Sequence, residues 1–120
     1  MRTTITSALS VAVIFLGSLA QISCSSQSEA GVAEIKLPTV QCEACVMKIT
    51  STLKKETGVK DVNVDLQKKL AKVSYLKDKT DLDKLESAVA LAGYDANSKK
   101  ADKKAYKGLP GCCKVSDKKH

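Results

Sequence analysis

The chain is short of the side chains from which most active sites are built. Its 120 residues include no tryptophan, and the one histidine, His120, is the last residue. The carboxylates are scattered, and no glycine-rich loop is present to cradle a phosphate. Without a general acid–base constellation, hydrolytic catalysis is not expected, and the chain reads as a non-enzyme. Long apolar runs are also scarce. The longest, residues 8–20 (ALSVAVIFLGSLA), is too short to cross a bilayer comfortably as a permanent helix.

That run does suit the apolar region of a signal peptide. Met1 and Arg2 give it a positive start, and Gln21, Ile22, Ser23 and Cys24 introduce a small and polar stretch after it. Two processing routes compete. Ser18-Leu19-Ala20 is a small-x-small cleavage site that would release a soluble product. Ser23-Cys24 instead resembles a bacterial lipoprotein junction, at which Cys24 is lipidated, although Gln21 stands where leucine is common. The Ser/Gln tract after Cys24 has the composition of a tether and could not build a core. Cysteine number favours the lipid route, because spending Cys24 on lipid leaves the even set Cys42, Cys45, Cys112 and Cys113. The expected organisation is a signal peptide (1–23), a flexible tether (24–32), one small domain (33–98) and a basic cysteine-containing tail (99–120). The product would be exported to the periplasm or cell envelope and held to a membrane by its lipid.

Charge separates the last two segments. Residues 24–97 carry eleven lysines against eleven acidic residues, whereas residues 98–120 carry eight lysines against Asp102 and Asp117. The basic character therefore belongs to the tail. Basic tails can touch nucleic acid or anionic membranes. Nucleic acid is not an expected partner for an exported protein, and a solvated arm beside its own membrane is the simpler reading.

Within the domain, Ile35 and Leu37 share one face of a first strand that stops at Pro38. Val46, Ile49 and Leu53 then recur at helical spacing, which predicts a helix over residues 44–56 closed by Gly58. Val62 and Val64 alternate with polar residues, and Ala71, Val73 and Tyr75 do the same beyond the polar turn Gln67-Lys68-Lys69. Thr80 to Asp83 has the form of a capping box with Thr80 as the cap. A second helical face follows at Leu82, Leu85, Val89 and Ala92, and Gly93 ends it. Residues 94–98 would form a last short strand. Strand, helix, strand, strand, helix, strand is the ferredoxin-like βαββαβ order of an α+β fold, with two helices on one face of a four-stranded antiparallel sheet.

The chemistry lies in Cys42-Glu43-Ala44-Cys45, at the junction of a loop with the first helix. A helix start presents unpaired N–H groups and a partial positive charge, which favour thiolate over thiol. Two intervening residues let both sulfurs converge on one point. Two thiolates suit a soft ion such as Cu(I), whereas Zn(II) normally takes four ligands. Thiol–disulfide redox chemistry and a plain disulfide are the competing readings of such a pair. No tryptophan precedes it, and one small domain leaves little room for a thioredoxin fold.

Residues 34–97 resemble the heavy-metal-associated domain of copper chaperones, metal-transport ATPase N-termini and periplasmic mercury-binding proteins. The likeness is carried by Cys42-x-x-Cys45, Ile49, Leu53, Gly58-Val59, Val62-Asn63-Val64-Asp65, Ala71-Lys72-Val73-Ser74-Tyr75 and Ala92-Gly93-Tyr94. It implies metal binding by Cys42 and Cys45, with Cu(I) the first choice and Hg(II) or Zn(II) the others. It also implies a metal-donor or metal-acceptor partner such as a transporter. Tyr94 matches an aromatic that sits near the metal loop in many bacterial members, where it packs or tunes the site. The family's Gly-Met-Thr lead-in is replaced by Thr39-Val40-Gln41, in which Val40 can fill the methionine's apolar role.

Cys112-Cys113 stands outside that likeness. Neighbouring side chains of a strand diverge, so both thiols can face one ion only across a turn, which Pro110-Gly111 can supply. The thirteen residues from 99 to 111 can cover about 3.3 Å each when extended, ample to cross a small domain. Cys112 or Cys113 is therefore a candidate third or fourth ligand, in a site that would admit Zn(II) or a Cu(I) cluster or tighten the hold on Hg(II). Two disulfides, or an independent thiol pair in the tail, are the alternatives.

Overall fold

A computed structural model describes residues 28–115. The signal-peptide segment, Cys24 and His120 lie outside the described residues. Among those described, no helix is long and apolar enough to cross a membrane.

Strand β1 (Ala30–Lys36) leads through a short loop to helix α1 (Glu43–Lys54). The hairpin β2 (Val59–Asp65) and β3 (Leu70–Leu76) follows, then helix α2 (Leu82–Leu91). The alternation read from the sequence is the reason these strands form. Ala33, Ile35, Val62, Ala71 and Val73 point inward, while Val32, Glu34 and Lys72 face out. On the outer face Lys72 pairs with Glu34 at 3.1 Å. The strand order is β1-β3-β2, antiparallel throughout, so α1 crosses over β3 to join two strands that do not pair with each other. Ile49 and Leu53 of α1 and Leu85 and Val89 of α2 are fully buried with the inner sheet face in one apolar cluster. Each such aliphatic side chain contributes about 1.5–3 kcal/mol by leaving water. Met47, beside that stripe, is 71% exposed and takes no part in the core.

Three expectations are corrected. The cap of α2 is Asp81, whose carboxylate accepts the Lys84 N–H at 2.9 Å, whereas Thr80 is buried. Strand β1 begins at Ala30, inside the stretch read as tether, because Ala30, Gly31 and Val32 pair with Leu76, Tyr75 and Ser74. The described sheet has three strands, since residues 94–98 do not form a fourth. Asn97 adopts φ +52°, and a tight turn closes by reciprocal backbone bonds between Ala96 and Lys99. Only Asn97 reaches the edge of β1. Its N–H donates to the Lys36 carbonyl at 2.9 Å and its Oδ1 accepts the Lys36 N–H at 2.8 Å. One side chain thus takes the place of a further rung of backbone.

The segment read as a solvated arm is also structured as far as residue 115. Helix α3 (Lys103–Lys107) is capped by Asp102, whose carboxylate accepts the Ala105 N–H at 2.8 Å. The Asp102 N–H donates to the Ala90 carbonyl at 2.8 Å, and Asp95 accepts the Ala101 N–H at 2.9 Å. Leu109 then enters the common core, and a 3-10 turn, Gly111–Cys113, completes the described chain's folded part. Leu109 and Cys113 in the core, Tyr106 packed against it, a few backbone bonds and the Lys99–Asp83 ion pair at 2.7 Å hold this basic segment in place.

Candidate metal centre

The loop between β1 and α1 sets the first two thiols. Leu37 and Val40 are fully buried and pin it to the core, so Val40 does occupy an apolar position. The Thr39 hydroxyl accepts the Asp95 N–H at 3.0 Å, tying the loop to the chain that follows α2. Cys42 is the N-cap of α1, with extended backbone, and its carbonyl accepts the N–H groups of Cys45 and Val46. Cys45 lies one turn into the helix and is buried; Cys42 is half-buried. Their sulfurs stand 3.4 Å apart, two free thiols in contact.

The other two thiols arrive from the 3-10 turn. Cys113 Sγ lies 3.8 Å from Cys42 Sγ and 3.9 Å from Cys112 Sγ. The sulfurs of Cys42, Cys112 and Cys113 all lie within 4.8 Å of one another. Cys113 is buried and Cys112 exposed. All four described cysteines therefore converge on one end of the molecule. The turn that adjacent thiols require is present, closed by the Cys113 N–H on the Pro110 carbonyl at 2.9 Å.

The thiols differ in acidity. The Cys45 backbone N–H and then the Cys45 thiol hold Cys42 down at about 7. Burial, followed by the neighbouring Cys45 thiol, pushes Cys113 up to about 12. At neutral pH the cluster thus holds a nucleophilic, solvent-reachable Cys42 beside a protonated Cys113. Tyr94 is fully buried, and its hydroxyl finds no hydrogen-bond partner among the described residues. Burial and then the adjacent Cys113 and Cys45 thiols raise its pKa. Tyr94 also lines a cleft of about 270 Å³ with Lys48, Leu109, Pro110 and Cys113. It is at once a core residue and a neighbour of the thiols.

Sequence reasoning missed the residues that dock the tail. Gly93 has φ +100°, and a Cβ there would meet the Ala105 carbonyl carbon and Tyr106 N at 3.1 Å. Glycine therefore lets α3 lie directly on the end of α2. The available signal was Leu109, the apolar residue just before Pro110 in an otherwise basic stretch.

Comparison with known proteins bears on this geometry. The model of the heavy-metal-associated domain matches residues 34–95, which include the end of β1, the cysteine loop, the β2–β3 hairpin and both long helices. The chain belongs to the heavy-metal-associated domain family. The Cys42-x-x-Cys45 pair, where β1 gives way to α1, lies within the matched residues. A copper-exporting P-type ATPase of Staphylococcus haemolyticus is 39% identical over 70 residues, which are 58% of this chain. The match covers 9% of that ATPase, so the chain spans a small fraction of the curated relatives it resembles. Among solved structures, oxidized MerP from Ralstonia metallidurans is 29% identical with a TM-score of 0.56, covering 57% of this chain and 96% of that one. The mercury-bound form of MerP, a periplasmic protein of bacterial mercury detoxification, is 30% identical with a TM-score of 0.52. It covers 57% of this chain and 96% of that one. Residues 99–115, with Cys112 and Cys113, follow the segment that the family model matches.

Proposed function

We propose that this heavy-metal-associated domain binds a soft metal ion, Cu(I) first, through Cys42 and Cys45, and passes it to or receives it from a thiol-bearing partner. The observation that carries this reading is the half-buried Cys42 at a helix start, its thiol held at about 7, with a second thiol 3.4 Å away. A thiol of that acidity is substantially ionised at neutral pH, and thiolates prefer soft ions. Transfer proceeds by ligand exchange. An incoming thiolate bonds the ion before an outgoing one leaves, so no free ion is released and the protein acts stoichiometrically. The copper-exporting ATPases among the relatives support both the ion and a transporter as the partner.

A second reading, capture of Hg(II), is favoured by the likeness to mercury-bound MerP. The setting we infer for either is the cell envelope, with Cys24 lipidated. Its support is the apolar run of residues 8–20 and the Ser23-Cys24 junction.

The test is an anaerobic titration of the reduced chain with Cu(I), and then Hg(II), against a competing chelator. Tight binding that disappears in Cys42→Ser/Cys45→Ser is the expected result. Binding indifferent to those two cysteines, or catalytic disulfide-reductase turnover with weak metal affinity, would replace this reading with a redox one.

A further inference from the structure

The geometry points to Cys113 and Cys112 as the third and fourth ligands of the same ion, forming a four-thiolate centre that takes Zn(II) as well as Cu(I). This rests on the Cys42/Cys45 reading above and extends it to a segment beyond the family's matched residues.

The spacing of the sulfurs decides the coordination number. With metal–sulfur bonds of about 2.3 Å, sulfurs stand about 3.8 Å apart around a tetrahedral ion, about 4.0 Å in a trigonal site and about 4.6 Å across a linear one. The observed separations are 3.4, 3.8 and 3.9 Å. They match the edges of a tetrahedron or triangle and are well short of a linear pair. A two-coordinate ion would have to push Cys42 and Cys45 apart, whereas an ion among Cys42, Cys112 and Cys113, whose sulfurs all lie within 4.8 Å of one another, finds three ligands gathered and draws in Cys45, 3.4 Å from Cys42, as the fourth. Four thiols that each give up a proton leave a centre of net charge −2 around Zn(II). The start of α1 and Lys48, which lines the cleft beside Cys113, supply positive potential there.

The tail is built to deliver these ligands. Asp95, Asp102 and Gly93 seat α3, Leu109 is buried in the core, and the 3-10 turn then places Cys113 inside, with only 1% of its surface exposed. A segment serving only as a solvated arm has no use for a core anchor next to two thiols. The two added ligands are unequal. Cys113 is fixed by burial and stays with Cys42 and Cys45, while the exposed Cys112 is the arm that an incoming thiolate replaces first. A closed four-thiolate site holds its ion against loss, and Cys112 is where it opens.

The test titrates the full reduced chain under anaerobic conditions with Co(II), a spectroscopic stand-in for Zn(II), and then competes with Zn(II). Wild type should bind one equivalent and give the intense visible bands and sulfur-to-metal charge transfer of a tetrahedral thiolate site. Cys112→Ser, at an exposed position that cannot disturb the core, should keep one equivalent with weakened charge transfer. Cys112→Ser/Cys113→Ser should lose about a hundredfold or more in Zn(II) affinity, because Zn(II) normally needs four ligands, while still binding one Cu(I). Circular dichroism of each variant establishes that the fold persists. Spectra and Zn(II) affinities of Cys112→Ser and the double variant that equal those of wild type would overturn the proposal and leave the Cys42/Cys45 site intact. Cu(I) binding that persists in Cys42→Ser/Cys45→Ser would overturn both this inference and the reading it rests on.

Discussion

Cys42 and Cys113 are separated by 71 positions in sequence, yet their sulfurs lie 3.8 Å apart. The first opens helix α1 and the second closes a turn that follows a buried leucine. Their environments are opposite. Cys42 sits half-exposed against a helix-start N–H, and Cys113 sits inside the core beside Tyr94.

That contrast predicts a reactivity order. In the reduced, metal-free chain, alkylation by iodoacetamide should rise through a midpoint near pH 7 at Cys42, while Cys113 stays unmodified until the fold opens. Peptide mass spectrometry after timed quenching reads both. Stability should follow the same pKa shifts. Cys42 is lowered in the fold from 9.0 to about 7, so its contribution is present above pH 9 and is lost as pH falls through 7. Cys113 is raised from 9.0 to about 12, so its contribution is present below pH 9 and is lost as pH climbs toward 12. Tyr94 acts in the same sense as Cys113. Thermal melts of the reduced chain should therefore show stability falling above pH 9, and a rise there would refute the assignment.

Leu109 is the anchor of the tail. Leu109→Ala should cost about 2–3 kcal/mol in urea unfolding, at the lower end for a buried leucine because its site lies at the edge of the core. More tellingly, Cys113 should become alkylated under native conditions while Cys45 stays protected. Continued protection of Cys113 in this variant would mean that other contacts hold the turn.

Tyr94→Phe removes a buried hydroxyl that has no hydrogen-bond partner among the described residues. The metal-free protein should be unchanged or up to about 1 kcal/mol more stable, since no bond is lost and an unpaired polar group no longer has to be buried. Denaturant midpoints decide it. A loss of more than about 1 kcal/mol would show that the hydroxyl has a partner in solution, with the Cys113 and Cys45 sulfurs as the nearest candidates.

Much of this molecule was legible along the chain because its signals are local. Alternation at Ile35, Val62 and Val73 and the helical stripe of Ile49 and Leu53 place four of the elements within a few residues. The Cys42-x-x-Cys45 pair was readable for the same reason, since two residues of helix start fix the distance between its sulfurs. The last strand was misread because Tyr94 to Ser98 has no stronger pattern than a loop. Asn97, free to adopt positive φ and able to pair with Lys36 through its own amide, settled the matter by a contact 61 residues away. The cap at Asp81 was missed by one residue, since Thr80 and Asp81 are both competent and burial of Thr80 chose between them.

The sequence by itself determined the split βαβ order, the apolar faces and the presence of a thiol pair at a helix start. Each of these follows from patterns of a few residues and from the intrinsic geometry of strands and helices. It also showed that Cys112 and Cys113 could reach that pair. Only the tertiary structure decided that they do. Reach is a property of chain length, but docking depends on whether Leu109 finds a place in the core and whether Gly93 leaves α3 room to lie against α2. Those are contacts between distant segments, and their free energy exists only once the rest of the fold is assembled.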